Sequence, residues 1–218
     1  MEIFQYKKEI KKLKPLEGGC TYHSQRWAKE ISNKKLLAIV SKYSNTYVCR
    51  ETIINSFKEL FDAQEDYRVP FLLTMIWGYD STGYGPFRTN AFLSDSQNLS
   101  IIKSSFHAVK VNDIDTAFVE LSKIKGLSIS YISKLLYFAG RGKGLEDYPL
   151  IFDIRVATSL VKLASDGVFN KLIKVQPSNK LDDYKAYNKL LHGWAKKMRV
   201  SGDQIEFFLF EQKFTISK

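Results

Sequence analysis

Residues 114–160 read IDTAFVELSKIKGLSISYISKLLYFAGRGKGLEDYPLIFDIRVATSL. Apolar side chains recur at helical spacing on both sides of Gly126, so this stretch predicts two amphipathic helices joined by a tight glycine turn. The run from Gly140 to Gly144 predicts a flexible, basic connection. Asp153 then stands where an N-cap residue belongs, before the apolar pattern of a third helix.

The turn between the first two helices has the features of an anion-binding site. Backbone N–H groups from Leu127 to Ser130 open the second helix, and free N–H groups at a helix start attract a phosphate. Basic residues surround the turn in the sequence: Lys123, Lys125, Arg141, Lys143 and Arg155. The pattern therefore predicts a phosphate contact at this turn.

The composition points to a polyanionic partner. The chain of 218 residues carries 33 Lys and Arg against 23 Asp and Glu, which gives a net charge of +10 and a pI near 9.4. On charge alone, a basic protein that is merely soluble is an equal alternative. No apolar run approaches the roughly 20 residues of a membrane helix, and the N-terminus has no apolar signal segment. Because Cys20 and Cys49 lack the spacing of a zinc site, we expect no metal and reduced thiols in a cytoplasmic protein.

A second informative stretch, from Trp77 to Arg88, reads WGYDSTGYGPFR. Its glycines and its proline interrupt regular structure, and four of its residues are aromatic. One interpretation is a turn whose rings cover the edge of the core. The other is a loop whose backbone approaches a ligand closely, with rings for stacking and Arg88 for a phosphate.

The rest of the chain is predicted to be helical. Residues 1–18 are rich in lysine, and we expect them to be partly ordered at best. Apolar periodicity predicts short helices in the following segment and a longer one from Thr52. Strand signals are weak throughout, so we predict an all-α fold. Its parts are an N-terminal basic and helical segment, 1–69, and a core, 70–218, packed together as one compact unit.

The C-terminal region carries two further helical patterns. The stripe from Tyr184 to Trp194 is typical of a core helix, and His192 on it is interpreted as a structural histidine with satisfied hydrogen bonds. Ser201 and Gln204 have the form of a capping box, which predicts the start of a last helix.

Three stretches resemble the helix-hairpin-helix DNA glycosylases of the 8-oxoguanine type. The first combines Lys125-Gly126-Leu127-Ser128 with Phe152-Asp153-Ile154-Arg155. The second, from Trp77 to Arg88, is similar to the W-G-Y-G-x-x-G-Y-G-P-x-R-T signature of a bacterial branch with the 8-oxoguanine glycosylase (OGG) fold. The third combines Trp194-Ala195 with Ile205-Glu206-Phe207-Phe208-Leu209-Phe210. Together they span most of the chain, roughly residues 70–210.

The resemblance implies an enzyme that flips a damaged or modified base, by default 8-oxoguanine, out of double-stranded DNA and cleaves its glycosidic bond. In the family, the essential carboxylate opens the helix after the hairpin, and Asp153 stands in that position. The catalytic lysine of bifunctional members aligns with Ser130, which is a departure from the family pattern. Lys134 lies one helical turn further on, and we hypothesise that it is the nucleophile of a glycosylase and abasic-site lyase. A monofunctional enzyme that uses water is one rival interpretation, and a surface lysine that pairs with DNA or with no group is another.

The resemblance also implies two sets of binding residues. The predicted DNA contacts are Lys125, Gly126, Leu127, Ser128, Ser130, Arg141, Lys143 and Arg155. The candidates for the base pocket are Trp77, Tyr79, Tyr84, Arg88 and Trp194. A monovalent cation on the hairpin carbonyls is a further option that the family suggests. We expect a monomer that acts at the nucleoid in the cytoplasm.

Two alternatives stay open at this stage. The same enzyme class acting on the modified bases of phage DNA would have a role in antiviral defence. From a different class, a non-catalytic helix-hairpin-helix module would grip DNA, and Asp153 would then only cap its helix.

Overall fold

Helices make up nearly all of the regular structure. The computed structural model describes residues 3–63, 66–79, 83–164 and 175–211. Within these residues the α-helices are α1 (Lys7–Lys11), α2 (Ser24–Glu30), α3 (Lys34–Lys42), α4 (Arg50–Ala63), α5 (Arg68–Tyr79), α6 (Gly85–Ser94), α7 (Ser96–Lys110), α8 (Ile114–Ser122), α9 (Ile129–Lys143), α10 (Ile154–Ala164), α11 (Leu181–Met198) and α12 (Gly202–Glu211). Single 3₁₀ turns cover Ile3–Tyr6 and Pro15–Glu17. The prediction of an all-α fold is confirmed.

One small antiparallel ribbon interrupts the helical pattern. Strands β1 (Gly19–Thr21) and β2 (Tyr47–Cys49) pair in the register Gly19 to Cys49. A Cβ atom on Gly19 would lie 2.2 Å from the Val48 carbonyl oxygen, so only glycine allows the strands to approach this closely. The ribbon leads directly into α4 and holds the N-terminal chain beside the cleft described below.

The N-terminal segment is more ordered than its lysine content predicts. Ile3 and Ile10 are fully buried in the core. The side-chain amide of Gln204 on α12 donates to the Lys11 carbonyl at 3.2 Å and to the Leu13 carbonyl at 3.0 Å. The expectation of partial order was wrong because two apolar anchors and one amide fix the backbone, while the lysines stay in solvent.

The two helices and the glycine turn that the sequence predicts are present as α8, a turn and α9. Gly126 adopts a positive φ of 88°, the left-handed conformation expected at this turn. Helix α9 lies at the centre of the fold and packs against α4, α5, α7 and α8. Most of its side chains are therefore buried, including the predicted nucleophile Lys134.

The prediction of a flexible connection from Gly140 to Gly144 was wrong, because α9 continues to Lys143. Only Gly144, with a φ of 79°, ends the helix. A Cβ atom on Gly142 would lie 2.5 Å from the Cβ of Phe57, and one on Gly140 would lie 2.8 Å from a ring carbon of Pro149. These glycines allow close packing of α9 against α4 and against the following loop, rather than flexibility.

Among the described helices, none is both long enough and apolar enough to cross a bilayer.

Candidate active site

The predicted catalytic residues lie in a cleft of about 880 Å³. Its walls come from α5, α9, α12, the start of α10 and the N-terminal chain around β1. The lining residues are Lys14, Glu17, Gly18, Gly19, Cys20, Tyr47, Arg50, Trp77, Gly78, Tyr79, Ser130, Tyr131, Lys134, Asp153, Ile154, Arg155, Phe207, Phe210 and Glu211. The size suits an organic group of the size of a nucleotide.

Asp153 caps α10, as the sequence predicts. Its Oδ1 accepts hydrogen bonds from the backbone N–H groups of Arg155, at 3.0 Å, and Val156, at 3.2 Å. The side chain is buried, and these two hydrogen bonds fix its orientation at the start of the helix. Since one oxygen is occupied by the cap, Oδ2 is the oxygen directed at α9.

The loop before Asp153 is held by side chains of α11. Tyr184 and Tyr187 donate their hydroxyl groups to the carbonyls of Leu150 and Ile151, at 2.8 and 2.6 Å. The Asn188 side chain accepts from the N–H of Leu150 at 2.7 Å.

Two further contacts complete this support. His192 Nε2 lies 2.9 Å from the Tyr148 carbonyl oxygen, so the histidine has the structural role that the sequence predicts. From α9, the Ser133 hydroxyl oxygen accepts the N–H of Phe152 at 2.9 Å. The backbone that carries Asp153 is therefore fixed from α9 and α11 together.

Lys134 faces Asp153 from the first turns of α9. Its Nζ lies 3.4 Å from Asp153 Oδ2 and donates to the hydroxyl oxygen of Ser130 at 2.7 Å. Only 6% of Lys134 is exposed. Burial lowers the pKa of Lys134 from its ordinary value, and the Asp153 and Glu206 carboxylates oppose that shift only in part. A larger fraction of the Lys134 amine is therefore unprotonated than of a surface lysine at the same pH.

One wall of the cleft is formed by the glycine-rich stretch and α9. The rings of Tyr79 and Tyr131 stack with centroids 4.4 Å apart, and the Tyr131 hydroxyl donates to the Gly78 carbonyl at 3.2 Å. A Cβ atom on Gly78 would lie 2.7 Å from the Tyr131 ring and 3.3 Å from Cδ of Lys134. The lack of a side chain at Gly78 therefore makes room for Tyr131 and Lys134. Residues 80–82 of this stretch lie outside the described residues.

A buried ion pair beside the cleft was missed by sequence reasoning. Arg50, at the start of α4, donates to the two carboxylate oxygens of Glu206 on α12, at 2.6 and 3.2 Å. The guanidinium lies 5.2–5.4 Å from the ring centroids of Trp77, Tyr137 and Phe207. Burial alone would lower the pKa of Arg50, but the Glu206 carboxylate outweighs burial and raises that pKa above its ordinary value. Arg50 thus stays charged and joins the N-terminal chain to the C-terminal helix.

The five residues predicted for the base pocket do not all line this cleft. Trp77 and Tyr79 line the cleft, whereas Tyr84, Arg88 and Trp194 are not among its lining residues. Tyr84 is 75% exposed. Trp194, on α11, packs against the core.

The predicted DNA contacts separate into exposed and buried groups. The exposed ones are Lys125, Gly126, Ser128, Lys143 and Arg155, while Ser130 is half-buried. Leu127 is buried in the core. Arg141 is half-buried, with its guanidinium 4.6 Å from the Tyr148 ring centroid and 3.6 Å from Asp203. Leu127 and Arg141 therefore have structural contacts of their own.

A second cleft, of about 780 Å³, lies between α4, α5 and α7. Its lining residues are Leu60, Phe61, Asp66, Tyr67, Arg68, Lys103, Phe106, His107 and Lys110. It lacks the buried pairing of lysine and aspartate that distinguishes the first cleft. In the part of the chain that the structure describes, no group of three or more His, Cys, Asp or Glu side chains is placed to hold a metal ion.

Comparison with known protein families identifies a DNA glycosylase family. The family model described as "OGG: Putative 8-oxoguanine DNA glycosylase OGG-like protein" matches residues 14–210. The chain belongs to this OGG-like family. The matched span includes every residue that lines the first cleft except Glu211. Neither a curated protein nor a solved structure matches the chain. Because the OGG-like family is a family of DNA glycosylases, DNA is the implied substrate.

Proposed function

We propose that this OGG-like protein excises a modified base, by default 8-oxoguanine, from double-stranded DNA, and that the reaction takes place between Lys134 and Asp153. The observation that carries the proposal is the buried Lys134 amine, 3.4 Å from the carboxylate that caps α10, in a cleft open to the surface. A buried pair of this kind, with a lowered pKa on the lysine, is typical of a catalytic site.

Asp153 stabilises the transition state electrostatically. Cleavage of a glycosidic bond gives the sugar the character of an oxocarbenium ion, with positive charge spread over C1′ and O4′. A carboxylate fixed by two backbone hydrogen bonds presents negative charge without reorganisation. Asp153 therefore lowers the barrier most when the flipped nucleotide places C1′ beside Oδ2.

Lys134 acts as the nucleophile in its neutral form. A bond forms between Nζ and C1′ while the bond from C1′ to the base breaks, and its electron pair leaves on the base. The proton that the new ammonium loses passes to the departing base, so charge balances. Opening of the C1′–O4′ bond then gives an iminium ion, and O4′ takes up a proton.

The walls of the cleft suit a base that has left the duplex. Trp77 and Tyr79 offer aromatic surface, and the exposed Arg155 at the start of α10 offers a cation for a flanking phosphate. Lys125, in the turn between α8 and α9, and Lys143, at the end of α9, are exposed and add positive charge. These groups support the proposal that DNA lies across the mouth of the cleft.

The test is base release from a panel of duplexes at moderate salt. The panel holds 8-oxoguanine opposite each base, uracil, alkylated purines and naturally modified phage DNA. One half of each reaction receives alkali, which cuts abasic sites, and the other receives borohydride, which reduces the iminium to a stable amine. Asp153→Asn and Lys134→Gln are compared with Lys189→Gln, which removes an exposed lysine of α11 outside the cleft.

The expected result is release of one base, with a borohydride adduct that Lys134→Gln abolishes and Lys189→Gln keeps. Asp153→Asn should retain DNA binding and lose base release by about 10²-fold or more. Base release without a borohydride adduct would indicate that water, and not Lys134, is the nucleophile. Salt-sensitive binding without release from any duplex would instead favour a non-catalytic DNA-binding protein.

A further inference from the structure

Ser130 lies one helical turn before Lys134 and lines the same cleft. Its hydroxyl oxygen is 2.7 Å from Lys134 Nζ, a shorter distance than the 3.4 Å from Nζ to Asp153 Oδ2. Its own carbonyl oxygen is also 3.4 Å from Nζ. The closest polar neighbour of the buried amine is thus a serine for which sequence reasoning predicts a contact with DNA.

We propose that Ser130 is the positioning residue for Lys134, and that its hydroxyl group holds the amine toward Asp153 in both protonation states. The proposal rests on the proposed function, in which Lys134 is the nucleophile. It changes the role of Ser130 from a phosphate contact to a partner of the reacting amine.

The partners of the amine differ in whether they donate or accept hydrogen bonds. A protonated lysine has three N–H donors, and it has three acceptors here: the Ser130 hydroxyl, the Ser130 carbonyl and the Asp153 carboxylate. A neutral amine also has a lone pair, which needs a donor when the amine waits for substrate. An ionised carboxylate and a carbonyl cannot donate, whereas a hydroxyl can reverse its role. Among these three partners, Ser130 Oγ alone can serve both forms of the amine.

The Asp153, Glu206 and Arg50 side chains act electrostatically on Lys134. The other charged and titratable groups that line the cleft are Tyr131 on α9, Tyr79 on α5, Glu211 on α12, Arg155 at the start of α10, and Lys14, Glu17, Cys20 and Tyr47 on the N-terminal side. Since a serine variant leaves all of them in place, a change in the titration of Lys134 reports on the hydroxyl group.

Two variants separate the role of the hydroxyl from that of side-chain volume. Ser130→Ala removes the hydroxyl, and Ser130→Thr retains it with one added methyl group. We expect Ser130→Ala to lower the single-turnover rate of base release about 10- to 100-fold, the scale of one hydrogen bond to a charged group, at unchanged affinity for duplex DNA. Ser130→Thr should retain most of the rate.

The pH dependence gives a second readout with a defined sign. The hydroxyl bonds to both forms of the amine, but the bond that it accepts from the ammonium is charge-assisted and roughly twice as strong as a neutral one, so removal of the hydroxyl should lower the pKa of Lys134. Because attack needs the neutral amine, the acidic limb of the rate profile of Ser130→Ala should shift to lower pH while the plateau falls. Ser104→Ala, on α7 outside the cleft, is the matched control and should alter neither quantity.

The experiment has one arm that needs no substrate. The Lys134 side chain is titrated by NMR through its ¹³Cε shift in protein labelled with [¹³C]lysine, with Lys134→Gln used to assign the signal. A lower midpoint in Ser130→Ala, with a midpoint close to wild type in Ser130→Thr, supports the positioning role. An unchanged midpoint in Ser130→Ala overturns it. Failure of the proposed function would appear separately, as wild-type protein without base release or a borohydride adduct.

Discussion

Gly78→Ala tests whether the cleft wall positions the reacting amine. The new methyl carbon would lie 2.7 Å from the Tyr131 ring and 3.3 Å from Lys134 Cδ. Favourable carbon contacts need about 3.5–4.0 Å, so Tyr131 must move by about 1 Å. Its stacking on Tyr79 and its hydrogen bond to the Gly78 carbonyl oppose that movement. Part of the displacement will therefore pass to Lys134.

The magnitudes separate the effect on rate from the effect on stability. Overpacking costs about 1–3 kcal/mol, and alanine in place of glycine in a helix recovers up to about 1 kcal/mol. We therefore expect the free energy of unfolding of Gly78→Ala to fall by about 0–3 kcal/mol. A displacement of about 1 Å at the reacting atoms can cost on the order of 10²-fold in rate, so the smaller displacement of Lys134 should lower the rate by up to that factor.

The assay combines urea unfolding with single-turnover base release under saturating protein. Gly193→Ala on α11 is the matched control, because its Cβ meets no atom within 4 Å. This control should gain about 1 kcal/mol of stability and keep the wild-type rate. A folded Gly78→Ala protein that releases base at the wild-type rate would refute the argument that this wall positions Lys134.

Three further predictions follow from burial and charge. Lys125→Gln should reduce the slope of log affinity against log salt concentration by about 0.9, as measured by salt titration of DNA binding. Arg141→Gln loses its contact with the buried Asp203, so it should instead lower the melting temperature, as measured by thermal unfolding. Glu206→Gln should cost about 3–5 kcal/mol in urea unfolding because it leaves the buried Arg50 without a counter-charge, and an unchanged stability would contradict the proposed importance of this pair. The rate of base release should rise with pH through a midpoint below the ordinary lysine pKa of 10.5, because burial lowers the pKa of Lys134. A pH–rate profile with its midpoint at or above 10.5 would argue against a buried amine as nucleophile.

The sequence was sufficient for features that depend on local pattern. The helical periodicity around Gly126, the N-cap at Asp153 and the position of Lys134 one turn beyond Ser130 each depend on residues fewer than five positions apart, and the structure has the first two as predicted. The proximity of Lys134 to Asp153 could also be anticipated, because the family resemblance assigns the helix after the glycine turn and the N-cap of the next helix to one catalytic site.

Features that join distant segments could not be predicted. Arg50 and Glu206 are 156 positions apart, and no periodicity links a residue at the start of one helix to its partner in another. The same limit applies to the hydroxyl groups of Tyr184 and Tyr187, since an apolar stripe predicts their burial but not the carbonyls that they bind. Gly142 was misread because a glycine selected for close packing and a glycine selected for flexibility look alike in a single sequence.

The position of Trp77 gives the protein an internal optical reporter. Of its three tryptophans, all within the described residues, Trp77 alone lines the cleft, whereas Trp27 is buried and Trp194 packs on α11. The Trp77 indole donates to the Gly18 carbonyl at 3.2 Å and lies 5.4 Å from the guanidinium of Arg50. With Trp27 and Trp194 replaced by phenylalanine, the remaining emission comes from the cleft wall. Entry of a flipped base can then be followed in time, separately from the bond cleavage that follows it.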